Sequence, residues 1–228
     1  MYENVIRIYH GSEVIISEPS YGKGSLRNDY GRGFYCTENI ELAKEWACSK
    51  SNDGYANAYD LDLNGLQVLR LNDPPYNVLN WLALLADNRT YWEKNSISEA
   101  AKIYLKENFL IDISNYDVII GYRADDSYFS FAKNFVANGI SLQQLSKAMV
   151  LGKLGEQIVL KTPKAFKQLK FVEATPASAA SYYAKKINRD KSAQQEYRKQ
   201  VKTLPNTSDL FMLDIMREGI KDGDKRLL

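Results

Sequence analysis

The chain has 228 residues, 45% of them apolar and 25% charged, with a formal net charge of +2. That length suits one sizeable domain with a small appendage, and it holds no run of about 18 uncharged apolar residues able to span a bilayer. The charge is too small to announce nucleic-acid binding by bulk electrostatics. Cys36, Cys48 and a single histidine, His10, give neither a disulfide framework nor zinc-ligand spacing, so no metal is expected. Met1-Tyr2-Glu3-Asn4 lacks the basic and apolar regions of a signal peptide. The expectation is a cytoplasmic protein with reduced thiols and no membrane partner.

Residues 5–10 read as a short strand ending at His10-Gly11. Residues 13–29 are polar and carry Pro19, Gly22 and Gly24, the composition of an irregular loop that can fold over a ligand. Residues 33–36 predict a second strand, and 39–49 a helix with Leu42, Ala43, Trp46 and Ala47 on one apolar face. Residues 56–63 alternate as a strand, and 67–71 follow an Asn64-Gly65 turn signal as another. After Asp73-Pro74-Pro75, residues 78–86 and 98–108 predict two helices. The branched run 116–121 is a buried strand. Asp125 and Asp126 then supply a cap and first-turn charge to a helix over 129–137. Residues 140–149 repeat that pattern with Ser141 as cap, and 157–161 and 169–172 are closing strands around a helical turn over 163–167. Strands and helices intersperse without strict βαβ alternation, which predicts α+β. Beyond Thr175 the chain is helix-forming and charged, then amphipathic over 210–220.

Three segments carry chemistry. His10-Gly11 ends one strand, Gly31-Arg32-Gly33-Phe34-Tyr35 builds a second strand-end aromatic, and Gly155-Glu156-Gln157 opens a late strand. Imidazole suits hydrogen bonding to ribose hydroxyls, and glycine permits close backbone approach to a ligand. An aromatic ring can stack on a planar group, and an acid or amide can hold a hydroxyl. Alternation puts Glu156 with Ile158 and Leu160, and Gln157 with Val159 and Lys161, so only one of the pair faces a cleft. Arg27 and Arg32 could contact a pyrophosphate, but each reads first as a surface arginine. Asp125 and Asp126 read as a cap, Glu38 as first-turn charge, and the two thiols as packing.

Tyr9-His10-Gly11-Ser12 resembles the first motif of the His-Tyr-Glu ADP-ribosyltransferases of the diphtheria-toxin and poly-ADP-ribose-polymerase branch. Gly31–Tyr35, with Ala43-Lys44-Glu45-Trp46-Ala47 behind it, is similar to the second, and Glu156-Gln157-Ile158-Val159 to the third. More closely, about residues 5–174 resemble a small uncharacterised bacterial family with this fold. That likeness includes Tyr116-Asp117-Val118-Ile119-Ile120-Gly121, Ala124-Asp125-Asp126 and Lys170-Phe171-Val172-Glu173. In that family the third motif centres on the glutamine.

The resemblance implies a split mixed sheet with an NAD cleft over residues 1–174 and a helical C-terminal extension over 175–228. It implies NAD-dependent mono-ADP-ribosyl transfer with NAD as substrate. His10 then binds ribose, Gly11 the carboxamide, and Tyr35 stacks on nicotinamide, with Ser12 also in the NAD-binding set, and Glu156 or Gln157 holds the 2′-hydroxyl. It further implies an intracellular bacterial toxin or defence effector, a protein or nucleic-acid acceptor, and an antitoxin protein as partner. The alternatives are a non-catalytic module of the same fold that binds NAD or a nucleotide, an NAD glycohydrolase, and a transferase acting on RNA phosphates.

Overall fold

A computed structural model of the chain describes residues 4–90, 92, 94–151, 155–203 and 205–227, with the backbone alone at Asp126. It is a mixed α+β protein built on two sheets. The first has the order β1 (Val5–Ser12), β3 (Gly54–Asp62), β7 (Leu169–Ala177), all antiparallel. The second has the order β2 (Phe34–Cys36), β6 (Gln157–Leu160), β5 (Val118–Gly121), β4 (Val68–Arg70), with only the β4–β5 pair parallel. A bridge joins the sheets where Tyr9 and Thr37 exchange both backbone hydrogen bonds, at 2.7 and 3.0 Å.

Each face of the first sheet has its own composition. His10 pairs with Asn57, and Gly11 with Ala56, so alternation collects Gly11, Ala56 and Ala58 on one face. Against these small residues lies α1 (Ile40–Ala47), capped by the Asn39 side chain, which accepts from the amides of Glu41 and Leu42. A Cβ at Gly11 would sit 2.1 Å from the Ala43 carbonyl oxygen, so only glycine lets α1 come this close. The opposite face presents Ile8, Tyr59 and Leu61, wholly buried against Cys36, Val118, Ile158 and Leu160 of the second sheet. Each such side chain contributes about 1.5–3 kcal/mol by leaving water.

The second sheet turns its other face, including Leu69, Ile119 and Val159, to the larger core. There α2 (Val78–Asn88) is buried from Val78 through Leu85, which explains a run that is apolar all round rather than on one stripe. Its one polar intruder, Asn80, accepts from the Asn77 amide at 2.9 Å and donates to the Phe109 carbonyl at 3.1 Å, so its burial is compensated. Around α2 pack α3 (Ser96–Phe109), α4 (Asp126–Val136) and α5 (Leu142–Ala148). Ser141 caps α5 in a reciprocal box with Gln144, as the sequence predicts. Asp125 occupies the cap position of α4 but makes no capping bond; its carboxylate instead lies 3.6 Å from the Arg189 guanidinium. The Asp126 side chain lies outside the described residues. Thr162 caps α6 (Pro163–Lys167) with proline in its first turn.

Beyond β7 the chain is helical. α7 (Ala179–Gln200) crosses α1 and α4, anchored by Arg189 to the buried Glu45 at 2.8 Å and by a hydrogen bond between Ser127 and Asp190. α8 (Met212–Arg217) inserts Met212 and Ile215 into the larger core, joined by Ile220. A 3-10 turn at Lys225–Leu227 follows.

Candidate functional site

A cavity of about 590 Å³ opens between the end of β1, strand β2 and the loop over residues 13–33. His10, Phe34, Tyr35, Asp29, Arg89 and Gln157 line it, with Val14, Ile16 and Pro19 supplying apolar wall from the loop. That volume falls within the range of small-molecule sites, and a mainly apolar lining with few convergent polar groups is their usual make-up.

His10 reaches the cavity because it shares the inner face of β1 with Ile8. Its ring stacks on Phe34 with centroids 4.3 Å apart, and Nδ1 lies 2.7 Å from the Tyr35 carbonyl oxygen. A carbonyl only accepts, so Nδ1 carries the proton. Burial pulls the imidazole below its ordinary pKa, against the smaller opposing effect of that bond. The neutral ring keeps Nε2 as an acceptor.

Tyr35 shares a face of the second sheet with Val159, its partner across β2 and β6. Its hydroxyl donates to the Gly31 carbonyl at 2.5 Å and accepts from the Tyr30 amide at 3.1 Å. The turn it clasps needs Gly31 at φ +70°, a conformation open to glycine at little cost. Burial raises the phenol well above its ordinary pKa, so it acts as ring surface and turn clasp rather than as a base. Lys161 reinforces the same turn by donating to the carbonyls of Tyr30 and Arg32.

The adjacent Glu156 and Gln157 diverge. Gln157 is buried on the cavity wall, where Nε2 donates to Asp29 Oδ2 at 2.6 Å. Glu156 accepts from Asn72 at 2.8 Å and borders a separate open depression with Thr37, Glu38 and Asn39. Of the two residues left open by alternation, the amide is the one beside His10 and Tyr35.

Gly11 and Ser12 do not line this cavity. Tyr9 directs its N–H and C=O to Thr37, so two residues on, the backbone groups of Gly11 turn to the same side while its missing side chain makes room for α1. The Ser12 hydroxyl donates to the Val14 carbonyl at 2.5 Å and accepts from Asn57 at 3.0 Å. Arg27 and Arg32 are likewise absent from the lining; Lys23 and Arg89 are the cations there.

Asp29, Arg89 and Asn57 complete the site, although no sequence pattern marks them. Asp29 is 4% exposed and accepts four bonds, from Arg89 Nε (2.9 Å) and NH2 (2.5 Å), the Ala124 amide (2.8 Å) and Gln157. Arg89 also donates to the Ala124 carbonyl at 3.1 Å. Asn57, fully buried, accepts from the Ile16 amide and donates toward the carbonyls of His10 and Val14, which ties the cavity loop to β1. Residues this far apart in sequence give no periodic signal; the turn Asn28-Asp29-Tyr30-Gly31 is the one local hint. Among the described residues, no group of three or more His, Cys, Asp and Glu could hold a metal ion, and no helix is long and apolar enough to cross a membrane.

Fold and site together define an α+β protein with a polar-tipped aromatic cavity where two sheets meet. The chain belongs to the family described as Protein of unknown function (DUF3990), whose model matches residues 6–171. That span carries every residue of the cavity, while α7 and α8 lie beyond it. No curated protein and no solved structure matches the chain.

Proposed function

We propose that the protein is an NAD-dependent mono-ADP-ribosyltransferase whose third motif residue is Gln157. The observation that carries this reading is the convergence of His10, Tyr35 and Gln157, drawn from three separated strands, on one cavity. The two sheets meeting at the Tyr9–Thr37 bridge support an ADP-ribosyltransferase-like split sheet.

In this reading His10 Nε2 accepts from a ribose hydroxyl, its tautomer fixed by the Tyr35 carbonyl. The Tyr35 ring stacks on nicotinamide, and Gln157 Oε1 accepts from the 2′-hydroxyl. The bond between nicotinamide nitrogen and the anomeric carbon breaks with its electron pair leaving on nicotinamide. An acceptor nucleophile supplies the pair for the new bond and releases its own proton to solvent. A neutral amide does not take that proton, so the acceptor's own nucleophilicity sets the rate. An intracellular bacterial toxin or defence effector acting on a protein or nucleic acid, with an antitoxin partner, belongs to the same proposal and is supported by the motif resemblance alone.

Nicotinamide release from NAD by the purified chain, with cell lysate as acceptor source, tests this. Tyr35→Ala and Gln157→Ala should abolish release, and Glu156→Ala should leave most of it. No release from the unaltered chain, together with measurable NAD binding, would favour a non-catalytic NAD-binding module. The neutral third residue and the saturated Asp29 carboxylate are the observations that favour that second reading. Release without any labelled acceptor would instead identify an NAD glycohydrolase.

A further inference from the structure

Four donors reach one carboxylate in the cavity wall. Asp29 Oδ1 takes both bonds from Arg89, and Oδ2 takes the Ala124 amide and the Gln157 carboxamide. These four residues come from the turn before β2, the end of α2, the connection from β5 to α4, and the start of β6. Side chain and backbone around Asp29 are also fixed, since Asn88 donates to its carbonyl at 3.3 Å. Nothing in a hydrophobic core requires such a cluster. A buried charge persists only where its partners are assembled to this degree.

The consequence falls on Gln157. Its carboxamide faces two groups that can only accept, Asp29 Oδ2 at 2.6 Å and the Tyr122 carbonyl at 3.5 Å. The NH2 end must therefore point at them, and Oε1 is left as the acceptor that the cavity wall offers. Without Asp29 either end of the amide could turn outward. The Arg89 guanidinium balances the carboxylate, so the wall offers a ligand an oriented acceptor with no net negative charge. Such a wall suits an uncharged hydroxyl rather than a cationic group.

We infer that Asp29 is a positioning residue that locks the Gln157 carboxamide with Oε1 available to a ligand hydroxyl, in a neutral Arg89–Asp29–Gln157 relay. The functional part of this inference rests on the ADP-ribosyl transfer reading; the orientation of the amide does not.

The test has two arms on the full chain. In the first, the side-chain amide resonances of Gln157 in 15N-labelled protein are assigned by their loss in Gln157→Glu. One proton should lie downfield, as expected for donation to a carboxylate, and should return to the ordinary range in Asp29→Asn. Asp29→Glu, which keeps the charge against Arg89 but displaces the carboxylate, serves the same purpose should Asp29→Asn fail to fold. In the second arm, nicotinamide release is measured for Asp29→Asn, Gln157→Glu and the double variant. Each single change should lower kcat on the order of tenfold with KM little altered, a coupling typical of residues sharing one bond. In the double variant the loss of the Asp29 charge relieves the carboxylate–carboxylate contact that Gln157→Glu creates, so its loss should be smaller than the two single losses combined. Additive losses in the double variant, or an amide resonance indifferent to Asp29, would overturn the inference. An unaltered chain that neither binds nor cleaves NAD would overturn the transferase reading instead, leaving the resonance to decide the role of Asp29.

Discussion

Replacing Gly11 with alanine separates two reasons for a glycine beside the only histidine. The motif resemblance gives Gly11 to the ligand, where a close backbone approach matters. The packing gives it to α1. A Cβ at this position would lie 2.1 Å from the Ala43 carbonyl oxygen and 2.8 Å from the Ala47 nitrogen, both main-chain atoms, whereas ordinary contact begins near 3.4 Å. Relief requires α1 to back away by more than ~1 Å, enough to forfeit about half or more of each contact it makes there. Overpacking costs about 1–3 kcal/mol, and a helix backbone as the obstacle puts this case near the upper end. For a chain of this size that lowers Tm by roughly 6–12 °C. Thermal unfolding followed by circular dichroism reads the shift directly. Gly65→Ala is the control, because Gly65 has φ +72° but no atom within 4 Å of its Cβ position, leaving backbone strain of about 1–2 kcal/mol alone. A Gly11→Ala protein melting within ~2 °C of the unaltered chain would refute the packing argument. Lost NAD turnover at unchanged Tm would return the glycine to the ligand.

Three further outcomes follow from the same contacts. Burial lowers the folded-state pKa of His10 below 6.5, so the unfolded chain binds the proton first as pH falls. Its contribution to stability is whole above pH about 6.5 and declines below it; urea midpoints of His10→Gln between pH 7.5 and 5 should lose part of that acid-side slope, and an unchanged slope would contradict the assignment. Arg189→Met strands the buried Glu45 carboxylate and should cost about 3 kcal/mol in urea unfolding, with Glu45→Met added to it recovering most of the loss. Equal losses in the single and double variants would show that the bond between α7 and α1 carries no such weight. Cys36 and Cys48 are buried, with burial pushing both thiols up, so a thiol reagent should label neither at neutral pH until the chain unfolds.

Local chemistry made much of this architecture readable. The Ser141 cap and the Pro163 start of α6 are decided within a few residues, and each stands where the pattern puts it. β3, read as alternating over residues 56–63, instead buries Ala56 through Tyr59 in succession, because α1 covers one of its faces and the second sheet the other. The strand over residues 169–172 runs on to Ala177 because its pairing with β3 continues through Thr175 and Pro176, a partner that no local pattern reveals. Asp125 shows the same limit from the other side. Its position predicts a cap, yet Arg189, 64 positions later, offers a charged partner that competes with the helix amides.

The candidate site divides along that line as well. His10 and Tyr35 were legible because glycine and aromatic residues at strand ends are unusual enough to notice, and both line the cavity. Choosing between Glu156 and Gln157 was beyond alternation, since each obeys it on its own face. Asp29 and Asn72 receive the two side chains in different places, which leaves Gln157 on the cavity and Glu156 away from it. Asp29 itself is an aspartate in a polar loop, indistinguishable in sequence from a solvated one. Only Arg89 at the end of α2 and Ala124 after β5 turn it into a buried acceptor. A motif read along the chain therefore names side chains that line the cavity, while the groups that hold them in place are visible only once three distant elements have been folded onto one carboxylate.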